Sequence, residues 1–202
     1  MTEKPIEKAQ FEGIIKEDKV IISDSEGIDE FFRNSYIGNL KQTEEGQETL
    51  VLDPIEVLLL IERNRLLIWE KNDKNQEQFN FEKLLEYFTH YDNKLWHKYV
   101  IYMDLRKRGY IVRPGYGEGI EFLVFKRGAN FEEDSAKFLI YPIYEGSPIE
   151  LRDLDKISRV AMSSRKDLIV ATVDRLSKTI YYSVKKFQLL NKEKESDQDN
   201  VL

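Results

Sequence analysis

The sequence predicts a mixed α/β protein made of two units, and three observations lead to that class. Short β-branched and aromatic runs of strand length recur along the chain between amphipathic helical patterns. A polar junction at Asp92-Asn93 separates two adjoining helical patterns, which sets one unit over 1–92 and a second over 93–190. Charge divides at the same place: 11 Lys/Arg stand against 21 Asp/Glu in the first unit, net −10, and 18 against 12 in the second, net +6, in a chain of net charge −6. Such asymmetry points the second unit toward phosphate and the first toward protein or solvent.

In the first unit KVIIS (19–23) is a strand, rich in β-branched residues. DSEGIDEFFRN (24–34) follows as a short helix, and Gly38 in SYIGNL marks a turn or a point of close packing. LVLDPIEVLLLIERNRL (50–66) carries the clearest helix start, with Asp53 as N-cap, Pro54 in the first helical position and Glu56 completing a capping box. Its apolar face is Ile55, Leu58, Leu59 and Ile61. LLIWE (66–70) reads as a strand, KNDKNQEQ (71–78) as a polar loop, and NFEKLLEYFTHY (80–91) as a second amphipathic helix.

The second unit opens with a helix over 93–109, whose stripe is Leu95, Tyr99, Tyr102, Met103 and Arg106. Arg106, Lys107 and Arg108 in its last turn, then Gly109, form a good C-terminus. Strands are expected at YIVR (110–113), IEFLVF (120–125), KFLIYPI (137–143), DLIVATV (167–173) and TIYYSVKK (179–186), with a helix over 150–165 packed on that sheet. The tail 191–202 has the composition of a disordered end.

Composition excludes several classes. The chain has 202 residues, 41% of them hydrophobic, enough for a real core. It has no cysteine, which removes disulfides, Cys-ligated zinc and Cys nucleophiles. No apolar run is long enough to cross a membrane, and MTEKPIEKAQFEG lacks an apolar signal core, so a cytoplasmic protein is expected.

The segments FLVFKRGANFEEDSAKFLIYPI (122–143) and RVAMSSRKDLIVATVD (159–174) resemble the catalytic domain of archaeal tRNA-intron splicing endonucleases. The likeness covers about 100 residues closely, and the first 92 more diffusely through GIIKEDKVII and LDPIEVLLLIE. It implies a restriction-endonuclease-like C-terminal domain: a central mixed sheet flanked by helices. Family members hold a Tyr, a His and a Lys at three positions spaced as Phe125, Ser135 and Lys166 are here. In that chemistry the Tyr takes the proton of a ribose 2′-OH, the His protonates the leaving 5′-oxygen, and the Lys stabilises the charged phosphorane. The products are a 2′,3′-cyclic phosphate and a 5′-hydroxyl, with no metal or other cofactor. Phenyl has no titratable proton, and a serine hydroxyl is far too weak an acid for an imidazole's work. Each missing proton-transfer group costs about 10²–10⁴-fold in rate.

The resemblance therefore implies a non-catalytic, structural subunit of a heteromeric enzyme. Its catalytic partner would supply the missing groups in an α2β2 heterotetramer acting on pre-tRNA with a bulge–helix–bulge. Arg159 matches a family arginine that stacks on a bulged base. Lys126, Arg127, Arg165 and Lys166 are the further RNA-contact candidates, although a cation at 166 also suits a helix C-terminus. The last strand is apolar on both faces, so Ile180, Tyr181, Tyr182 and Val184 are expected to meet another subunit, as the family's terminal strand does. The loop before it, DRLSK (174–178), has one acid and two bases where family members are acidic. It is therefore not expected to supply the family's acidic plug to a neighbour.

Two competing readings stay open. An active nuclease could use Tyr116 or Tyr141 as base with Glu or Asp as acid, and a pure assembly module would touch no RNA at all. A metal site at His90 and His97, or at Glu132, Glu133 and Asp134 near Lys137, is weaker than a surface or solvated-loop role for each.

Overall fold

The computed structural model describes residues 10–44, 46–70, 77–117, 119–144, 146 and 148–185. Two mixed sheets and five helices account for them. The first sheet contains β1 (Phe11–Lys16), β2 (Lys19–Ile22), β3 (Asn39–Gln42), β4 (Glu48–Leu52), β5 (Leu66–Glu70) and β6 (Glu77–Gln78). Its order is β3-β4-β2-β1-β5-β6, with only β1 and β5 parallel. The second contains β7 (Ile111–Pro114), β8 (Phe122–Phe125), β9 (Phe138–Tyr144), β10 (Asp167–Val173) and β11 (Thr179–Val184), in the order β11-β10-β9-β8-β7. Here β9 and β10 are the parallel pair, and the helix that joins them makes a βαβ unit.

The helices are α1 (Ser25–Ile28), running on as a π turn over Asp29–Arg33, α2 (Pro54–Glu62), α3 (Phe81–Thr89), α4 (Leu95–Lys107) and α5 (Leu151–Ser163). α2 begins at the expected capping box: the Glu56 carboxylate accepts the Asp53 N–H at 2.9 Å. Its buried set, however, is Glu56 through Leu60, while Ile55 and Ile61 are only half-buried. The single stripe read from the sequence is too narrow, because α2 is covered by the first sheet on one side and by α3 and α4 on the other.

α4 corrects the same expectation. Val100, Ile101 and Leu105 are buried along with Leu95, Tyr99 and Tyr102, while Met103 and Arg106 are half-buried. This helix packs on α2 and α3 and also crosses beneath the second sheet against β7, β10 and β11. One core therefore runs from Val20 and Leu50 through α4 to Phe122, Ile140 and Val173. α5 covers the opposite face of the second sheet through Ile157, Ala161, Leu139 and Leu168.

Several elements differ from the sequence expectation. Leu50–Leu52 belong to β4 and not to the helix, Glu77 and Gln78 pair with β5 instead of lying in a loop, and β1 and β3 are additional strands. Gly38 is both things its sequence suggested. Its φ is +82°, and a Cβ there would lie 2.5 Å from Leu50 Cδ1. The 191–202 tail lies outside the described residues, and no helix among those described is long and apolar enough to cross a membrane.

Candidate nucleic-acid interface

Three short segments of the second unit converge at one end of its sheet. They are the turn after β8, the stretch leading into β9, and the turn between α5 and β10. Together they form a cleft of about 410 Å³, lined by Lys126, Arg127, Gly128, Ala129, Asp134, Ser135, Ala136, Lys137 and Arg165. The first turn closes through Ala129 N–H to the Lys126 carbonyl at 3.2 Å, with Gly128 at φ +72°. The second is held by Asn130, whose N–H donates to Asp134 Oδ2 at 2.8 Å while its Oδ1 accepts the Glu132 N–H at 3.1 Å. These bonds make 130–134 a solvated turn that presents Ser135 at the surface.

Four sequence candidates, Lys126, Arg127, Ser135 and Arg165, are thus brought together. Arg165 arrives through an unusual backbone. It stands in the left-handed region (φ +55°) just past the end of α5, a position that favours glycine and is costly for an arginine. Lys166 is not among the lining residues; its Nζ turns back toward the Ser164 carbonyl at 3.3 Å. Lys137 joins the cleft instead, and its ammonium meets Asp167 at 2.9 Å, holding that carboxyl below its ordinary range. The closeness of Lys137 in sequence to Ser135, in the stretch just before β9, is the signal that could have found it. Lys126 and Arg165 make no ion pair among the described residues, so positive charge is in excess in the cleft even with Asp134 in its lining and Asp167 on Lys137.

Phe125 lies behind the cleft and reaches it only through the lining residue Ala136. It is only 6% exposed and packs with Ile111 and Ala136, edge-on to Phe131 at 5.5 Å between ring centroids. Phe131 in turn meets Tyr36 of the first unit at 5.9 Å and lies under the Arg113 guanidinium at 4.8 Å. Position 125 is therefore an aromatic anchor, and position 135 is a hydroxyl open to water.

Arg159 stands elsewhere. It lies on the outer face of α5, paired with Asp155 at 2.8 Å, beside a groove of about 500 Å³ between α5 and β11. That groove is apolar, with Leu151, Leu154, Met162 and Val184 in its lining. Ile180 and Tyr182 are 40% and 53% exposed on the edge strand, and Leu151 is 82% exposed. Tyr181 points the other way, against α4, where its hydroxyl donates to Asp104 Oδ2 at 2.7 Å. Burial and that bond raise its pKa. Period two separates Tyr181 from Ile180, Tyr182 and Val184, so three of the four interface candidates share the outward face.

The remaining candidates are scattered. Tyr116 sits at the far end of the β7–β8 hairpin from Phe125, and Tyr141 lines a different pocket with Lys94, Lys98 and Glu121. His90 contacts the Glu86 carbonyl at 2.8 Å, and His97 packs edge-on to Tyr144. Among the described residues no three His, Asp or Glu side chains are grouped to hold a metal.

A mixed sheet with one βαβ crossover, ending in a cationic cleft, defines the second unit as an α/β domain. Comparison with known proteins names the family. Residues 11–85 match the tRNA intron endonuclease N-terminal domain, and residues 95–182 match the tRNA intron endonuclease catalytic C-terminal domain. The chain is 32% identical over 170 residues to a tRNA-splicing endonuclease of Methanococcus maripaludis, covering 84% of this chain and 90% of that one. It is 29% identical over 167 residues to a tRNA-splicing endonuclease of Thermococcus kodakarensis, covering 83% and 92%. A tRNA-splicing endonuclease of Methanococcoides burtonii matches over 181 residues at 31% identity, 90% of this chain but 48% of that protein. The chain belongs to the tRNA intron endonuclease family.

Proposed function

We propose that this chain is the structural subunit of a heteromeric tRNA-splicing endonuclease. It binds pre-tRNA around a bulge–helix–bulge and assembles with a catalytic subunit that performs the cleavage. The observation that carries this reading is the pairing of a cationic cleft with a buried phenyl and a bare hydroxyl at the two proton-transfer positions. Lys126, Arg127, Lys137 and Arg165 can attract phosphate, but at 125 and 135 no group can move a proton. Tyr116 and Tyr141 lie outside the cleft, which weighs against a relocated base. Purified alone, the chain is expected to leave a bulge–helix–bulge RNA intact, and to support cutting once the catalytic subunit is added. Cyclic-phosphate ends released by the solitary chain would falsify this assignment.

Assembly is assigned to β11 and the α5 groove beside it. β11 is an edge strand that exposes Ile180 and Tyr182, and Leu151 and Met162 extend the apolar surface along α5. Edges of this kind are normally covered. Placing Glu at both Leu151 and Tyr182 is expected to weaken association with the catalytic subunit by at least about tenfold. Sedimentation velocity reads that change, and an unaltered complex would move the interface elsewhere.

A further inference from the structure

We propose that the RNA path continues beyond the cleft, along a row of anchored cations at the C-terminal end of α4, and reaches the edge strand β11. An RNA strand leaving the cleft then passes directly toward the neighbouring subunit. The inference rests on the RNA-binding reading given above and adds Lys107 and Arg108 to it.

The row is built from close approaches between Arg127, Tyr110, Gly109, Arg108 and Tyr181, with Lys107 next to Arg108 in the chain. Arg127 belongs to the cleft, and its guanidinium also lies 5.1 Å over the Tyr110 ring, which is itself held edge-on to Phe138. Gly109 closes α4 at φ +83°, and a Cβ there would come within 4.0 Å of Arg127 Cδ, so the helix end lies beside the cleft arginine. Arg108 is next. Its Nε donates to Asp104 Oδ2 at 2.9 Å and a terminal nitrogen to Oδ1 at 3.2 Å, while its guanidinium sits 5.9 Å over Tyr181. Asp104 Oδ2 also takes the Tyr181 hydroxyl, and Tyr181 is on β11. Lys107, the last residue of α4, is exposed and makes no ion pair among the described residues.

The chemistry of the row suits a sugar–phosphate backbone. Stacking and bidentate pairing hold the two arginines in place, so less side-chain freedom is lost when they meet an anion. Asp104 offsets the charge of Arg108, whose remaining N–H groups are still free to donate. The net positive charge therefore comes from Arg127 and Lys107. Asp104 and the tyrosine rings already engage the two arginines, so the expected contact here is to the phosphate backbone.

The test uses the full-length chain and a labelled RNA hairpin carrying two bulges, with anisotropy read from 50 to 300 mM KCl. Lys107→Glu is expected to weaken binding by about tenfold at low salt and to lower the slope of log K against log [KCl] by about one. Lys107→Ala is expected to weaken it about threefold. Lys41→Glu, a charge reversal on the exposed edge strand β3, gauges the general effect of net charge and is expected to change binding by less than about twofold. Equal effects at Lys107 and Lys41, with the wild type binding normally, overturn the extended path and leave the cleft reading standing. A wild type that binds no RNA at 50 mM KCl overturns both.

Discussion

With Tyr at position 125 and His at position 135, the chain is expected to cut a bulge–helix–bulge RNA at least about 100-fold faster than it does unaltered. The expectation follows from what is present and what is missing. The cleft already brings Lys126, Arg127, Lys137 and Arg165 around Ser135, so electrostatic attraction to the scissile region does not have to be rebuilt. A general base and a general acid are each worth about 10²–10⁴-fold. Groups that act as a unit do not multiply cleanly, so the lower bound is the safer expectation for the pair. Either single variant is expected to gain little, since a base without an acid leaves the 5′-oxygen without a proton. Adding Lys166→Ala to the double variant should remove most of the gain, because the ammonium must swing from the Ser164 carbonyl toward the phosphate to act. Single-turnover assays that score cyclic-phosphate ends measure the rates. Melting curves add a structural control. Phe125 is 6% exposed, so a hydroxyl pointing into the Phe131 cluster would be unpaired and cost about 1–3 kcal/mol, whereas one reaching the cleft would cost almost nothing. An undisturbed melt with no gain in rate would show that more than two groups separate this chain from an active nuclease.

How much of this could be read from the sequence depends on the element. The start of α2 was legible because Asp53, Pro54 and Glu56 are local signals whose geometry is set within one turn. β10 and α5 were legible because each packs one well-defined face or run. β1 was not, since Gly13 interrupts it; that glycine is demanded by Val20 Cγ1, 2.5 Å from where a Cβ would stand. β3 is a polar edge strand, NLKQ, with no apolar alternation to reveal it. β4 ends one residue before the capping box, so LVL merged with the helix that follows. The stripes on α2 and α4 were drawn too narrow because no single sequence shows that a helix is covered on two sides. In the site, spacing located the positions but not the directions of the side chains. The left-handed turn at Arg165 sends 165 into the cleft while 166 folds back, which no residue count foretells. The charge asymmetry, by contrast, found its physical counterpart in the cationic cleft.

The second large effect is on stability, and it lies where the two units meet. Arg113→Met is expected to lose about 3–5 kcal/mol at pH 8 and only about 1–3 kcal/mol at pH 5. Arg113 reaches from β7 into the first unit, 7% exposed, donating to the Gly38 carbonyl at 2.6 Å, the Tyr36 carbonyl at 3.1 Å and Asn39 Oδ1. Glu56 holds the same residue through its other backbone group, accepting the Gly38 N–H at 2.8 Å while only 2% exposed. Burial, reinforced by Asp53, pushes Glu56 up to about 7, while the Asp53 and Gly38 N–H groups and the Arg113 charge pull it down. The sign follows from proton counting. The folded value lies above the ordinary 4.5, so the native state holds more protons than the unfolded chain between those values. Stability from this group is therefore full below about 4.5 and lost as pH rises through about 7, by on the order of 3 kcal/mol. Without Arg113 the Glu56 carboxylate loses its nearest compensating charge, its pKa climbs further, and the loss extends to higher pH. At pH 5 Glu56 is neutral in both proteins, and the deficit shrinks to the missing hydrogen bonds. Urea unfolding of both proteins at pH 5 and pH 8 measures the difference. A deficit of equal size at the two pH values would show that the buried arginine acts through its hydrogen bonds alone, with no coupling to Glu56.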